Sequence, residues 1–182
     1  MDSLQMIFQG WEGYNTSLQK AIEPLNSTQL SWRPSDTRRS VGKTAMHIAA
    51  GRINWFSRMH LPDQSMLSTL QLSWEVDPDG NRHCVVQDVM STDSVVCCKW
   101  LSASWQMIEA CLAAWTSDEL SRTYKHRWRG ELYEVTYPWT IWRILSHDQH
   151  HGGQIAMMLG LQGIEAFELR GLGGHIVEPK KL

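Results

Sequence analysis

The sequence predicts an all-α fold: a single-domain four-helix bundle with a long connection between its second and third helices. Three observations carry that expectation. Four long segments repeat apolar residues at helical steps of three and four. Cap and turn residues stand where those segments begin and end. The 182 residues suffice for one domain with a sizeable core.

The first helix is expected over residues 4–25, where Leu4, Ile7, Phe8, Trp11, Tyr14, Leu18, Ile22 and Leu25 recur mostly at those steps. Residues 27–33 start as a short capped turn, and Pro34 favours extended backbone before it. Ser40 serves as N-cap for a second helix to about residue 61, closed by Pro62. Its apolar stripe contains Val41, Ala45, Ile48, Ala49, Trp55, Phe56 and Met59, with His47 among them.

Residues 62–92 read as a long connection with some local structure, a short helix or strand near 67–74 and a turn at Asp77-Pro78-Asp79-Gly80. Connections of that length are often functional. Thr92 or Asp93 caps a third helix to about residue 115, where Cys97, Leu101, Trp105, Ile108, Leu112 and Trp115 step by four and three. A further helical turn opens at Thr116, and a hairpin or extended loop containing Gly130 fills 122–137. Pro138 suits the first turn of the fourth helix. Gly152 and Gly153 each cost roughly 1 kcal/mol there relative to alanine, which close helix approach would justify. The tail, 168–182, is expected to be peripheral. From these elements alone an antiparallel meander is the default topology.

Composition excludes several classes. A net charge of -2 argues against a partner bound through its phosphates, so no nucleic acid is expected. No apolar run reaches the roughly 18–20 residues of a membrane span, and the N-terminus lacks the features of a signal peptide. A cytoplasmic location follows as the expectation. Cys84, Cys97, Cys98 and Cys111 match no zinc-finger spacing and read as reduced, mostly buried hydrophobes, with a redox role for Cys84, in a polar loop, the minority reading. Among ten tryptophans, Trp55, Trp105, Trp115 and Trp142 read as core packing, and an aromatic-walled pocket is open to one or two.

The histidines carry the chemistry. His147 and His151 are four apart within a stripe of Ile144, Ile155 and Met158, so both should face the core from one side of the helix. His47, on the second helix, would converge on them if the two helices pack together. Three imidazoles can hold a divalent ion and leave a position for water or substrate. Against this stands the simpler reading of hydrogen-bonded core histidines. His60, His83, His126 and His175 fall at helix ends or in loops and are expected to be solvated. His150 projects about 100° from His151, which suits support of the site or the surface rather than coordination.

The segment Ser40-Val-Gly-Lys-Thr-Ala-Met-His47-Ile-Ala, followed by Asn54-Trp55-Phe56, resembles the second-helix motif of the DinB-like (YfiT-type) superfamily. His147-Asp-Gln-His150-His151-Gly-Gly-Gln154-Ile155 resembles its H-x-x-H-H-x-G-Q-I signature, and Trp32-Arg33-Pro34 its W-R-P. The resemblance spans most of the chain but draws little on 62–92. It implies an up-down-down-up bundle in place of the meander, often a homodimer, with His47, His147 and His151 holding a divalent metal.

The superfamily resemblance further implies a thiol S-transferase that activates bacillithiol, mycothiol or glutathione for attack on an electrophilic small-molecule substrate. Asn54, His150 and Gln154 are the candidates for supporting the ligands, and no protein cysteine is the nucleophile. Zinc or nickel is the first expectation for the metal, with iron, manganese and copper the alternatives. The rival readings are a hydrolase using metal-bound hydroxide, a non-catalytic stress-associated metal-binding or scaffold protein, and a small-molecule binder using the tryptophans.

Overall fold

Helix α1 (Gln9–Ile22) follows a 3-10 turn at Leu4–Met6, so the expected first helix is shorter and broken at Ile7-Phe8. The computed structural model describes residues 4–80, 82–86, 89–165 and 180–181. The expectation for the tail and that for His175 therefore lie largely or wholly outside the described residues.

Asn26 starts the short helix α2 (Ser27–Ser31) with a reciprocal capping box to Gln29. Helix α3 (Val41–Phe56) begins at the expected cap, where the Ser40 hydroxyl accepts from the Lys43 N–H at 3.2 Å. It stops five residues before the expected end, at Phe56. The connection that follows holds a 3-10 turn (Ser65–Thr69) and an antiparallel hairpin of β1 (Ser73–Val76) and β2 (Arg82–Val85). Gly80 turns this hairpin at φ 84°, and its N–H donates to the Asp77 carbonyl at 2.9 Å.

Helix α4 (Ser94–Ala114) is capped by Asp93, and α5 (Ser117–Leu120) by Thr116 in a second capping box with Glu119. Strands β3 (Thr123–Trp128) and β4 (Glu131–Thr136) form the hairpin expected around Gly130. Helix α6 (Tyr137–Leu161) starts at Thr136, with Pro138 in its first turn. The protein is mainly helical, with the two hairpins set between the long helices.

The core is built where the apolar stripes meet. Trp11 packs edge-on against Phe56 and Trp105, and Phe56 stacks on Trp115 with ring centres 6.0 Å apart. Each fully buried leucine or isoleucine here, such as Leu18, Ile53 or Ile144, contributes roughly 1.5–3 kcal/mol through removal from water. Gly152 is required by packing, because a Cβ there would overlap the Tyr14 hydroxyl. Gly153 meets nothing within 4 Å, so the close-approach reason holds for only one of the pair.

Three local expectations are corrected. Cys84 is not in an open polar loop: it is fully buried in β2, where its N–H donates to the Ser57 hydroxyl at 2.9 Å. Its neighbour His83 is buried too, because the β1–β2 hairpin folds against the end of α3 instead of standing in water. Trp142 is 68% exposed, since it lies about 100° around α6 from the buried Ile141. Trp105 and Trp115 are buried as expected, and Trp55 is half-buried. All four cysteines are free.

Candidate metal centre

Helices α3 and α6 lie side by side, and their facing rows bring the predicted histidines together. His47 comes from α3; His147 and His151 come from successive turns of α6. One ligand atom from each falls within 4.8 Å of the others, so the trio could hold a metal ion. His47 Nε2 and His147 Nε2 are 3.1 Å apart. Two nitrogens each about 2.0–2.1 Å from one ion are separated by roughly 2.9–3.4 Å at common coordination angles. The spacing fits.

The outer nitrogens explain which atoms face inward. His151 Nδ1–H donates to Gln154 Oε1 at 2.8 Å, which leaves Nε2 with its lone pair. Gln154 in turn donates through Nε2 to His150 Nε2 at 3.2 Å. The structure thus links Gln154 and His150 to a candidate ligand, with His150 exposed. Asn54 makes no side-chain bond to any of the three histidines; its carbonyl accepts from the Ser57 hydroxyl. Burial, then the neighbouring His147, His150 and Arg39 charges, pushes the His151 imidazole below its usual range despite the Gln154 bond. The neutral ring is the form that can coordinate.

His147 is supported by a group that sequence reasoning missed. Its Nδ1 lies 3.7 Å from Asp148 Oδ1, and both atoms are buried without a hydrogen-bond partner. At 3.7 Å the two do not hydrogen-bond, but the carboxylate stands on the Nδ1 side of the ring while Nε2 lies on the side of His47. Ring nitrogens from three residues lie within 4.8 Å of one another, close enough for one cation to sit between them. The donor set therefore fits a divalent ion.

Asp148 is itself held from two other helices. Its Oδ2 accepts from Arg52 Nε at 2.7 Å and from Trp11 Nε1 at 2.8 Å. Arg52 Nη1 continues to Asn15 Oδ1 at 2.8 Å, and both charged side chains are fully buried. The signal for this pair was present. Arg52 continues the stripe of Ala45, Ile48, Ala49 and Ile53, and Asp148 the stripe of Ile141, Ile144, His151 and Ile155. Opposite charges on two inward faces mark partners.

Gly51 makes room for the site. A Cβ at this position would stand 2.7 Å from His147 Cε1, so any side chain would displace the ring. None of the cysteines lies in the cluster. Burial pushes the Cys84 and Cys97 thiols up to about 11, and raises Cys98 and Cys111 as well. Among the described residues, no helix is long and apolar enough to cross a membrane.

Comparison with known proteins agrees with this architecture. The sequence model described as the DinB superfamily matches residues 14–155, a span that includes all three histidines. A crystal structure of a DinB-like protein from Bacillus cereus superposes with a TM-score of 0.64 at 17% identity, covering 91% of this chain and 96% of that one. At that identity the likeness speaks for the fold. No curated protein matches the chain significantly.

Proposed function

This chain belongs to the DinB superfamily, and from that premise we propose that it is a divalent-metal-dependent thiol S-transferase. The observation that carries the proposal is the convergence of His47, His147 and His151 within 4.8 Å, with His151 Nδ1 tied back to Gln154. A divalent ion held there, zinc or nickel first, would supply charge to favour the thiolate of a low-molecular-weight thiol such as bacillithiol, mycothiol or glutathione.

The chain's own residues do the rest. Gln154 orients His151, Asp148 sets a carboxylate on the Nδ1 side of His147, and Gly51 leaves His147 space to face His47. His150 lines the hollow beside His147 and keeps a polar edge at its mouth. The reaction forms a carbon–sulfur bond as the electrophile's leaving group departs and the thiol proton passes to water. The raised cysteine thiols support a nucleophile brought by the co-substrate rather than by the protein.

The helix contacts support an up-down-down-up course. Trp11 meets Phe56 while Asn15 meets Arg52, as antiparallel α1 and α3 require. Arg52 reaches Leu101 and Phe56 reaches Trp115, as parallel α3 and α4 require. A cytoplasmic homodimer completes the proposal.

A thiol-dependence screen tests it. Metal-loaded protein incubated with each thiol and a panel of small electrophiles should consume thiol and electrophile together. Turnover that proceeds without thiol, releasing hydrolysed product, would assign the site to a hydrolase instead.

A further inference from the structure

Next to the histidines, α6 continues a row that the proposed chemistry does not use. Trp139, Arg143, His147 and His151 stand four residues apart, so they line one side of the helix at intervals of about 6 Å. Opposite, α3 presents Trp55, and the β3–β4 hairpin adds His126, Trp128 and Tyr133. These side chains enclose a hollow of about 550 Å³. A second hollow of about 350 Å³ shares Trp139 and Arg143 with it and reaches His147 and His150. Arg143 therefore stands between an aromatic chamber and the metal-binding trio.

The guanidinium is held but not neutralised. Its carbon lies 4.5 Å from the Trp55 ring centre and 5.5 Å from that of Trp139. These contacts set the rings against the guanidinium, and among the described residues none of its N–H groups, the part that pairs with carboxylates, donates a hydrogen bond. Among the described residues, no carboxylate forms an ion pair with Arg143. Glu134, at the rim, instead accepts from the Thr123 hydroxyl at 3.1 Å. Burial, then the Arg58, Arg143 and His83 charges, hold His126 below the usual imidazole range against the opposing Asp77 charge.

We propose that this hollow binds a planar aromatic carboxylate, its ring against the aromatic wall of Trp55, Trp128, Tyr133 and Trp139 and its carboxylate on the edge of Arg143. Size and lining suit a small ligand, since such sites are mostly apolar with a few placed polar groups. Aromatic walls select a flat π-system, and the guanidinium edge of Arg143 selects a negative charge. The binding site stands on its own residues. That its ligand is the electrophile of the transferase rests on the function proposed above, because the Arg143 edge lies one helical turn from His147.

Calorimetric titration of the full chain, as purified and without added thiol, separates the two ideas. The probes are 2-naphthoate and its neutral counterpart 2-naphthylmethanol. Naphthoate should bind saturably and more tightly than the alcohol. Arg143→Gln should weaken naphthoate about tenfold or more, the scale of one lost charge-assisted pair, and leave the alcohol unchanged. Trp139→Leu should weaken both, while His151→Ala should leave naphthoate affinity as it is. The two wall substitutions involve exposed side chains, so the fold should survive them. Equal affinity for acid and alcohol, or indifference to Arg143→Gln, overturns the proposal. So does loss of naphthoate binding in His151→Ala alone, which would place the acid on the metal.

Discussion

The Nδ1 atom of His147 and the Oδ1 atom of Asp148 face each other at 3.7 Å, both buried and both without another partner. The other carboxylate oxygen is fixed by Arg52 and Trp11. The arrangement places a carboxylate fixed from α1 and α3 beside a ring of the candidate metal centre. A carboxylate behind a coordinating imidazole commonly fixes its tautomer and raises its basicity.

Asp148→Asn should therefore lower metal affinity by about 10–100-fold without removing any ligand. Competition against a calibrated chelator measures it. A mutant with unchanged affinity would show that Asp148 serves the fold alone.

Arg52 is a test of the fold as much as of the site. Arg52→Met leaves Asp148 buried with Trp11 as its remaining side-chain donor, and breaking such a pair costs about 3–5 kcal/mol. Calorimetry should record a melting temperature lower by roughly 10 °C. Adding Asp148→Leu removes the stranded charge, so the double variant should lose less than the sum of the single losses.

Gly51→Ala separates binding from stability. Alanine favours a helix over glycine by about 1 kcal/mol, yet its Cβ would meet His147 at 2.7 Å. The metal-free protein should melt no lower than the parent by much, while metal affinity falls at least about tenfold. Equal affinity would mean that His147 does not need its present position.

The thiols give a pH prediction. With Cys84 and Cys97 raised to about 11 in the folded protein, unfolded thiols ionise first as pH rises. The folded state then binds more protons, so stability present below the unfolded value is lost between about pH 9 and 11. Denaturant melts across that range should show the decline, and replacing both cysteines with alanine should lessen it, leaving the part due to Cys98 and Cys111. Native protein at pH 8 should also resist iodoacetamide at these two positions.

Most of the helical frame was legible because it is local. Ser40 and Asp93 are caps whose side chains act within three residues, and the stripes on α3, α4 and α6 repeat within a turn. The histidine trio was legible for the same reason, since its members sit on those stripes. What escaped was non-local. Arg52 and Asp148 sit on the inward stripes of two different helices, and their pairing across 96 residues shows only once those helices pack. Cys84 and His83 read as loop because burial came from a hairpin folding onto α3. Gly51 carries no pattern; only the ring of His147 beside it reveals its use. Trp142 failed in the opposite sense, as helical spacing from apolar neighbours did not place it on the buried face.

His47, His147 and His151 are placed to hold an ion together. Elemental analysis of protein purified without a histidine tag or added metal tests it most directly, beside His47→Ala and His151→Ala prepared in the same way. The parent should carry a single divalent ion per chain and both variants should lose it, with the helical content unchanged. A metal-free parent that fails to take up zinc or nickel, or an ion retained by both variants, would contradict it.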